Sequence, residues 1–309
     1  MIAEQSVAGI DVSKDRLDVH VVPSGLVLSV PNTDHGLAGL GRKLRQLGVV
    51  RVGLEASGGY ERQAARQLDT AGFEVHVLPP ARVRALAQAL GSHAKTDPID
   101  AAMIARYLQL APARTAYQSD PARERLDELA SLRRQLVAER NKLVSRLDIA
   151  SDKLVRKMLA RLHLAIQANI ARLDAEIASH IRTSHLKARH DILIAVPGVG
   201  PVLAATLLCD LPELGQANAK QLASLVGVAP HARQSGRTTK PGRCSGGRTS
   251  VRCVLYMATL SALKANVPSL RAFYDRLRAN GKPFKIAITA TMRKFLTILN
   301  AIAKQSTVA

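Results

Sequence analysis

Across the first 110 residues the apolar positions alternate between strand-like runs and helical stripes. Residues 7–12, 17–22 and 26–30 are short runs rich in Val, Ile and Leu that predict three strands, with Ser13-Lys14-Asp15 turning the first into the second. Leu37, Leu40, Leu44 and Leu47 then recur at helical spacing. Residues 49–54 predict a fourth strand leading into Glu55. Residues 60–71 predict a helix closed by Gly72, and residues 73–78 a fifth strand stopped by Pro79-Pro80. Two more helical segments cover residues 81–90 and 98–110. Three consecutive strands followed by alternating helix and strand predict an α/β domain, a mixed sheet with flanking helices.

The pattern changes after that. Residues 122–196 contain neither Gly nor Pro, and Leu129, Leu136, Leu143, Leu147 and Leu154 recur at seven- and four-residue steps. Leu162, Ile166, Ile170, Leu173 and Ile177 continue the series. This spacing predicts long helices packed as a coiled coil, slightly favoured over the interior of a helical bundle. One unbroken helix would run about 110 Å. A reversal at Ala150-Ser151-Asp152, with Ser151 or Asp152 capping a second helix, is the expected arrangement. A third region opens at Val196-Pro197-Gly198-Val199-Gly200-Pro201, before the apolar run 202–208. It predicts a helix-hairpin-helix in which Gly198 and Gly200 let the backbone approach a phosphate; a packing corner between two helices has the same spacing. Residues 233–248, rich in Gly and Ser, predict a loop, and residues 250–265 a helix packing Val254, Met257 and Leu260.

Charge narrows the class of partner. There are 44 Lys plus Arg against 24 Asp plus Glu, a net charge of +20, which implies a polyanionic partner. No acid lies between Glu213 and Asp275, whereas Lys220, Arg233, Arg237, Lys240, Arg243, Arg248, Arg252, Lys264 and Arg271 all do. Charge of one sign over such a stretch has no local partners and predicts phosphate contact. An aromatic share of 3% without Trp argues against a surface that reads single strands by stacking. Cys209, Cys244 and Cys253 have neither zinc-knuckle nor disulfide-framework spacing. Asp11, Lys14 and Asp15 interrupt any signal peptide, and no apolar run approaches the roughly 20 residues of a membrane helix, so a soluble cytoplasmic protein is expected.

Against this basic background four carboxylates stand out. Asp11 lies in Gly9-Ile10-Asp11-Val12-Ser13-Lys14 and Glu55 in Gly53-Leu54-Glu55-Ala56-Ser57-Gly58; each ends a strand-like run. Asp97 and Asp100, in Lys95-Thr96-Asp97-Pro98-Ile99-Asp100, are three apart and share a face if helical. Taken singly, each has a plainer explanation as a turn, cap or first-turn acid. Taken together, they predict a hard divalent cation, Mg2+ with Mn2+ as the alternative, and metal-assisted chemistry on phosphodiesters.

These motifs occur in one order with Pro197-Gly198-Val199-Gly200, Ser235-Gly236 and Gly246-Gly247-Arg248 through Leu255-Tyr256-Met257. The ordered set resembles the DEDD transposases of the insertion-sequence one-ten family, relatives of the pilin-gene invertase, over nearly the whole chain. The resemblance implies a RuvC-like RNase H domain over residues 1–120, a coiled-coil segment over 121–190, and a mostly α-helical C-terminal transposase domain over 191–309. It places Asp11, Glu55, Asp97 and Asp100 at the metal tetrad and Ser235, in Gln234-Ser235-Gly236, at the nucleophilic serine. Arg233, Arg237, Lys240, Arg243, Arg248 and Arg252 then become candidate nucleic-acid contacts. Further implications are recombination between double-stranded donor and target DNA, guidance by a non-coding bridge RNA, a dimer or a tetramer built as a dimer of dimers, and a bacterial, nucleoid-associated location. Without the resemblance Ser235 is one loop serine among several, Ser245 and Ser250 included. Two other readings remain: a metal-dependent nuclease of the Holliday-junction type in which water attacks, and a non-catalytic nucleic-acid-binding protein. Because the tetrad and Ser235 fall in different predicted domains, the serine is expected either from the same chain or from a neighbouring subunit.

Overall fold

The computed structural model describes residues 6–91, 97–110, 116–235 and 238–305, with the side chains of residues 97, 98 and 232–241 outside the described set. The chain divides into two compact units, Met1–Asp120 and Pro121–Ala309.

The first unit is a five-stranded mixed sheet with flanking helices. In chain order it holds β1 (Ser6–Val12), β2 (Arg16–Val22), β3 (Leu26–Pro31), α1 (Asp34–Gln46), β4 (Val49–Glu55), α2 (Glu61–Thr70), β5 (Glu74–Leu78), α3 (Pro80–Ala89) and α4 (Asp97–Leu110). The strand order is β3-β2-β1-β4-β5. β1 and β2 pair antiparallel, as do β2 and β3, while β1–β4 and β4–β5 are parallel. The β1–β2 turn is closed by Ser13, whose Oγ donates to the Arg16 carbonyl at 2.8 Å and accepts from the Arg16 N–H at 3.1 Å. Thr33 caps α1 by accepting from the Gly36 N–H. One sheet face buries Ala8, Ile10, Val12, Leu17, Val19, Val21, Val52 and Leu54 together with Leu37, Leu40 and Leu44 of α1 and Ala64, Ala65 and Leu68 of α2. Each large aliphatic side chain buried there contributes about 1.5–3 kcal/mol relative to exposure. The other face carries Val7 and Leu78 packed with Val83 of α3 and with Ile104 and Leu108 of α4.

The second unit is mostly helical: α5 (Pro121–Ile149), α6 (Lys153–Thr183), α7 (Leu186–Ile194), α8 (Pro201–Asp210), α9 (Ala219–Val226), β6 (Pro230–Ser235), β7 (Thr238–Cys244), α10 (Thr249–Lys264), α11 (Pro268–Ala279) and α12 (Phe284–Gln305). The reversal expected at Ala150-Ser151-Asp152 is present, and Asp152 caps α6 by accepting from the Val155 N–H at 2.9 Å. α5 and α6 run antiparallel, as the ion pairs Arg125–Glu176 and Arg133–Asp174 and the His180 contact to the Ala122 carbonyl require. Of the predicted heptad positions, Leu143, Ile170 and Ile177 are buried, whereas Leu154 and Leu162 are exposed.

Two expectations change. The helix predicted over 250–265 is α10, but its buried face is Val251, Leu255, Thr259, Ala262 and Leu263, and Met257 is 60% exposed. α12 is long and apolar enough to cross a membrane, which corrects the reading that no stretch reaches that length. Half of it is buried. Ile288, Met292, Phe295, Leu296, Leu299 and Ala303 join the core of the unit, and Asn300 is held there by accepting from the Gly215 N–H and donating to the Ala217 carbonyl. α12 therefore serves as a core helix.

Candidate functional site

The carboxylates of the first unit are brought together by register. Ile10 pairs with Leu54 in the parallel β1–β4 ladder, so Asp11 and Glu55, the next residue on each strand, lie on the same face at the same sheet edge. Two steps back on that face Gly9 pairs with Gly53, and both are glycine because α4 crosses there. A Cβ on Gly9 would sit 2.2 Å from the Ala101 carbonyl oxygen and 2.3 Å from the Ala105 nitrogen. A Cβ on Gly53 would meet Ile104 and Leu108 at 2.8–3.0 Å. The Leu108 carbonyl accepts from Arg51, near the start of β4. Going from 101 to 108, α4 thus runs from the level of Gly9 toward the start of β4. Its N-terminal turn lies at the opposite end, with Asp11 and Glu55. Asp100, like Asp11 and Glu55, is partly buried; Asp97 opens the helix, and its side chain lies outside the described residues. The donor set is carboxylate oxygen drawn from three elements, which suits a hard divalent cation.

This construction predicts the outcome of one small change. Gly9→Ala is expected to push α4 off the sheet and cost about 3 kcal/mol or more, read as a lower urea midpoint for the first unit. Gly39→Ala, where a Cβ meets only an arginine tip at 3.9 Å, serves as the control and should shift the midpoint little.

Residues the sequence reading passed over shape the surroundings. Asn32 donates through Nδ2 to the Ser13 carbonyl at 3.0 Å and to the Tyr60 carbonyl at 3.4 Å, tying the turn after Asp11 to the loop after Glu55. Glu61 accepts from the Ser57 N–H, the Ser57 hydroxyl and the Gly59 N–H, which fixes that second loop. Asp18 and His20 of β2 share the α4-facing side of the sheet with Asp11, because Asp11 pairs directly with Asp18 and Gly9 with His20. Burial lowers the pKa of His20 and keeps it neutral at neutral pH.

In the second unit, Pro230–Ser235 and Thr238–Cys244 pair as antiparallel strands where a loop is expected. Ser235 pairs with Thr238, which puts the serine at the last position of β6, where the strands turn over. A Gly-X connection such as Gly236-Arg237 is a two-residue hairpin signal, but His231, Arg233 and Gln234 lack the apolar alternation by which strands are usually recognised. The side chains of Ser235, Arg233 and Lys240, and all of Arg237, lie outside the described residues.

The hairpin's base is held by close backbone packing. Gly227 ends α9 in the left-handed region at φ 77°, and Gly247 has φ 76°. A Cβ on Gly247 would sit 2.3 Å from the Gly227 nitrogen, and one on Gly227 would sit 2.2 Å from the Gly246 carbonyl oxygen. Arg252 donates to the Gly246 carbonyl and to Thr249, bracing the same turn. Arg243, in β7, is exposed. Beside the hairpin is a groove of about 640 Å³ whose walls include Ser245, Arg252, Tyr256 and Met292.

Arg248, expected to face phosphate, is instead paired bidentately with Glu213 at 2.5 and 2.6 Å. The two acids that bound the basic run are thus each paired with one of its arginines, Glu213 with Arg248 and Asp275 with Arg271, the latter at 2.7 Å. Burial pushes the Glu213 carboxyl up, but the hydrogen bonds and charge of Arg248 outweigh it and hold the carboxyl below the usual glutamate range. A depressed carboxyl pKa gives stability that is complete above the ordinary value of about 4.3 and is lost as pH falls through the lower folded value. With the Arg248 side chain 35% exposed, Arg248→Ala is expected to cost about 1 kcal/mol near neutral pH and less at acidic pH. Urea midpoints of both proteins at about pH 7 and about pH 3 check this.

The hairpin between α7 and α8 also divides its glycines. Gly198 has φ 92°, and a Cβ there would sit 2.7 Å from the Ala262 Cβ and 3.4 Å from Phe295, so the absence of a side chain is also required by packing against the core. Gly200, the N-cap of α8, has open space where a Cβ would project.

Asp127, Cys209 and Asp210 have donor atoms within 4.8 Å of one another. Arg134 contacts both acids, at 3.7 and 3.2 Å, and burial pushes the Cys209 thiol far up, away from the thiolate a metal would need. This cluster is an ion-pair brace between α5 and α8.

Comparison with known proteins matches the chain to one transposase family over two stretches. The profile of the DEDD transposase domain of the IS110 group matches residues 8–152. The profile described as transposase IS116/IS110/IS902 family matches residues 190–275. These matches, on a mixed five-stranded sheet followed by a mostly helical region, define a DEDD transposase, an enzyme of DNA recombination that binds DNA and uses divalent metal. The chain belongs to the IS110/IS116/IS902 transposase family. The pilin gene-inverting protein of Moraxella lacunata is 29% identical over 264 residues, covering 82% of this chain and 80% of that protein. The insertion element IS900 uncharacterized 42 kDa protein of Mycobacterium paratuberculosis is 30% identical over 214 residues, 67% of this chain and 49% of that protein.

Proposed function

We propose that this transposase cuts and rejoins DNA strands through Ser235, with Mg2+ (or Mn2+) held by Asp11, Glu55, Asp97 and Asp100 on a sheet of the RuvC-like RNase H type. The observation that carries the reading is the β1–β4 register, which sets Asp11 and Glu55 level on one face, together with the run of α4, which starts at their end of the sheet. A bound divalent cation supplies charge neutralisation at the phosphate and polarises its oxygens. Ser235 Oγ attacks phosphorus, the Oγ–P bond forming as the bond from phosphorus to a deoxyribose oxygen breaks, and the proton that Ser235 gives up passes through solvent to that leaving oxygen. The ester keeps the bond energy, so the same step in reverse joins a different strand. Arg233 and Arg237 flank the serine in sequence and clamp the phosphate; Lys240, Arg243, Arg252 and the backbone at Gly200 extend contact along the duplexes.

The finer assignments follow from the same reading. A bridge RNA selects donor and target by pairing, which leaves the protein to recognise duplex shape and backbone. The chain acts in the bacterial cytoplasm, on nucleoid DNA, as three functional segments: catalytic 1–120, helical 121–190 and C-terminal 191–309. Exchange between two duplexes needs more than one active site, so the working form is a dimer or a dimer of dimers. Supporting this, Leu154, Met158 and Leu162 of α6, spaced four apart, are 66%, 58% and 54% exposed and form an apolar stripe fit for a second copy.

The test incubates the protein with two differently labelled duplexes and Mg2+, with and without RNA copurified from its native locus. Recombinant strands carrying both labels, dependent on that RNA, are expected. Hydrolysed ends alone would indicate a nuclease in which water attacks, and binding with neither product a non-catalytic protein.

A further inference from the structure

The α4-facing side of the sheet carries one more acid than the tetrad. Asp18 stands directly opposite Asp11 in the antiparallel β1–β2 ladder, so the two side chains leave the sheet on the same face, with Cβ atoms typically about 4.5–5.5 Å apart. Asp18 is 7% exposed. A carboxylate so buried is costly unless a cation accompanies it. Arg16 Nε donates to Asp18 at 2.9 Å, and the Arg16 side chain is 54% exposed, so solvent screens the attraction between the two charges. A strand core position thus holds a charged pair that packing alone does not require.

We propose that Asp18 is a positioning residue of the metal edge. Its charge strengthens cation binding by the tetrad, and Arg16 is the resident counter-charge that offsets it. This rests on the tetrad reading above. Asp18 acts through the field it adds beside Asp11 and through its hold on the β1–β2 turn, without itself being a ligand. Groups beside a metal's ligands typically change its affinity about 10–100-fold. The two members of the pair carry opposite charge, so their removal shifts cation affinity in opposite directions. A merely structural ion pair would shift it in the same direction, downward, from either side.

The experiment measures Mn2+ binding to the full-length protein without DNA, from the loss of the free Mn2+ electron paramagnetic resonance signal. Asp18→Asn is expected to weaken binding about tenfold. Asp18→Glu, which keeps the charge, should hold it within about threefold, and Arg16→Gln should tighten it several-fold. Asp11→Asn is the reference and should weaken binding more than any of these. If Asp11→Asn lowers affinity while Asp18→Asn does not, or if Arg16→Gln also weakens binding, the role of Asp18 is overturned and the tetrad stands. If Asp11→Asn itself has no effect, the tetrad reading fails instead. Should Asp18→Asn fail to fold, Arg16→Gln decides alone: tighter binding supports the proposal, and unchanged or weaker binding overturns it.

Discussion

Asp11→Asn is expected to slow DNA strand cleavage by at least about 10³-fold, a loss of about 4 kcal/mol of transition-state stabilisation, with little effect on folding or DNA binding. The substitution keeps shape and removes charge. The neighbouring side chains Ile10 and Val12 point to the other face and keep their packing with α1 and α2. In the proposed site the cation would depend on that charge, since a neutral amide is a weaker ligand beside Glu55. Glu55→Gln should behave alike. Cleavage rates on labelled duplex at fixed Mg2+, set beside gel-shift affinity, check both. Equal losses of binding and cleavage would place Asp11 in DNA contact or in folding rather than in catalysis.

Ser235→Ala is expected to remove both strand exchange and the protein–DNA adduct, by about 10⁴-fold or more, because loss of a covalent nucleophile leaves no alternative route to the same intermediate. Affinity for DNA and RNA should stay within about twofold of the parent. The hairpin is held by backbone pairing from Pro230–Cys244 to Ser235–Thr238 and anchored below by the Gly227–Gly247 contact, none of which uses the serine hydroxyl. The variant should therefore fold and bind while failing to join strands. Exchange that persisted would move the nucleophile elsewhere, with Ser245 and Ser250 next to test.

What was legible in the sequence follows from how local each determinant is. The strands and helices of the first unit announce themselves through periodicity, and the break between α5 and α6 through Asp152, whose cap spans three residues. The β6–β7 hairpin was not legible, because its order comes from paired backbone groups, whereas its side chains are basic and polar. Arg248 looks like a free phosphate ligand in the sequence because its partner Glu213 is 35 residues away. Asp18 was passed over because polar residues alternating with Leu17, Val19 and Val21 normally mark a solvent face; only the crossing of α4 over Gly9 and Gly53 makes that face an interior. The four acids are legible as an unusual set, yet the level placement of Asp11 and Glu55 depends on strand register, which no single motif encodes. Ser235 rests on its place in an ordered series of motifs and on no local property of its own.

The central claim is that strands are rejoined through a serine ester, and the most direct test is the chemistry of a trapped intermediate. Reaction with Mg2+, duplex and guide RNA is quenched by denaturation, the DNA is digested to its terminal nucleotide, and the protein is mapped by mass spectrometry. The account predicts a nucleotide phosphate on the peptide containing Gln234-Ser235-Gly236, lost in Ser235→Ala and absent without divalent metal. Cut DNA with free ends and no nucleotide on any peptide would contradict it.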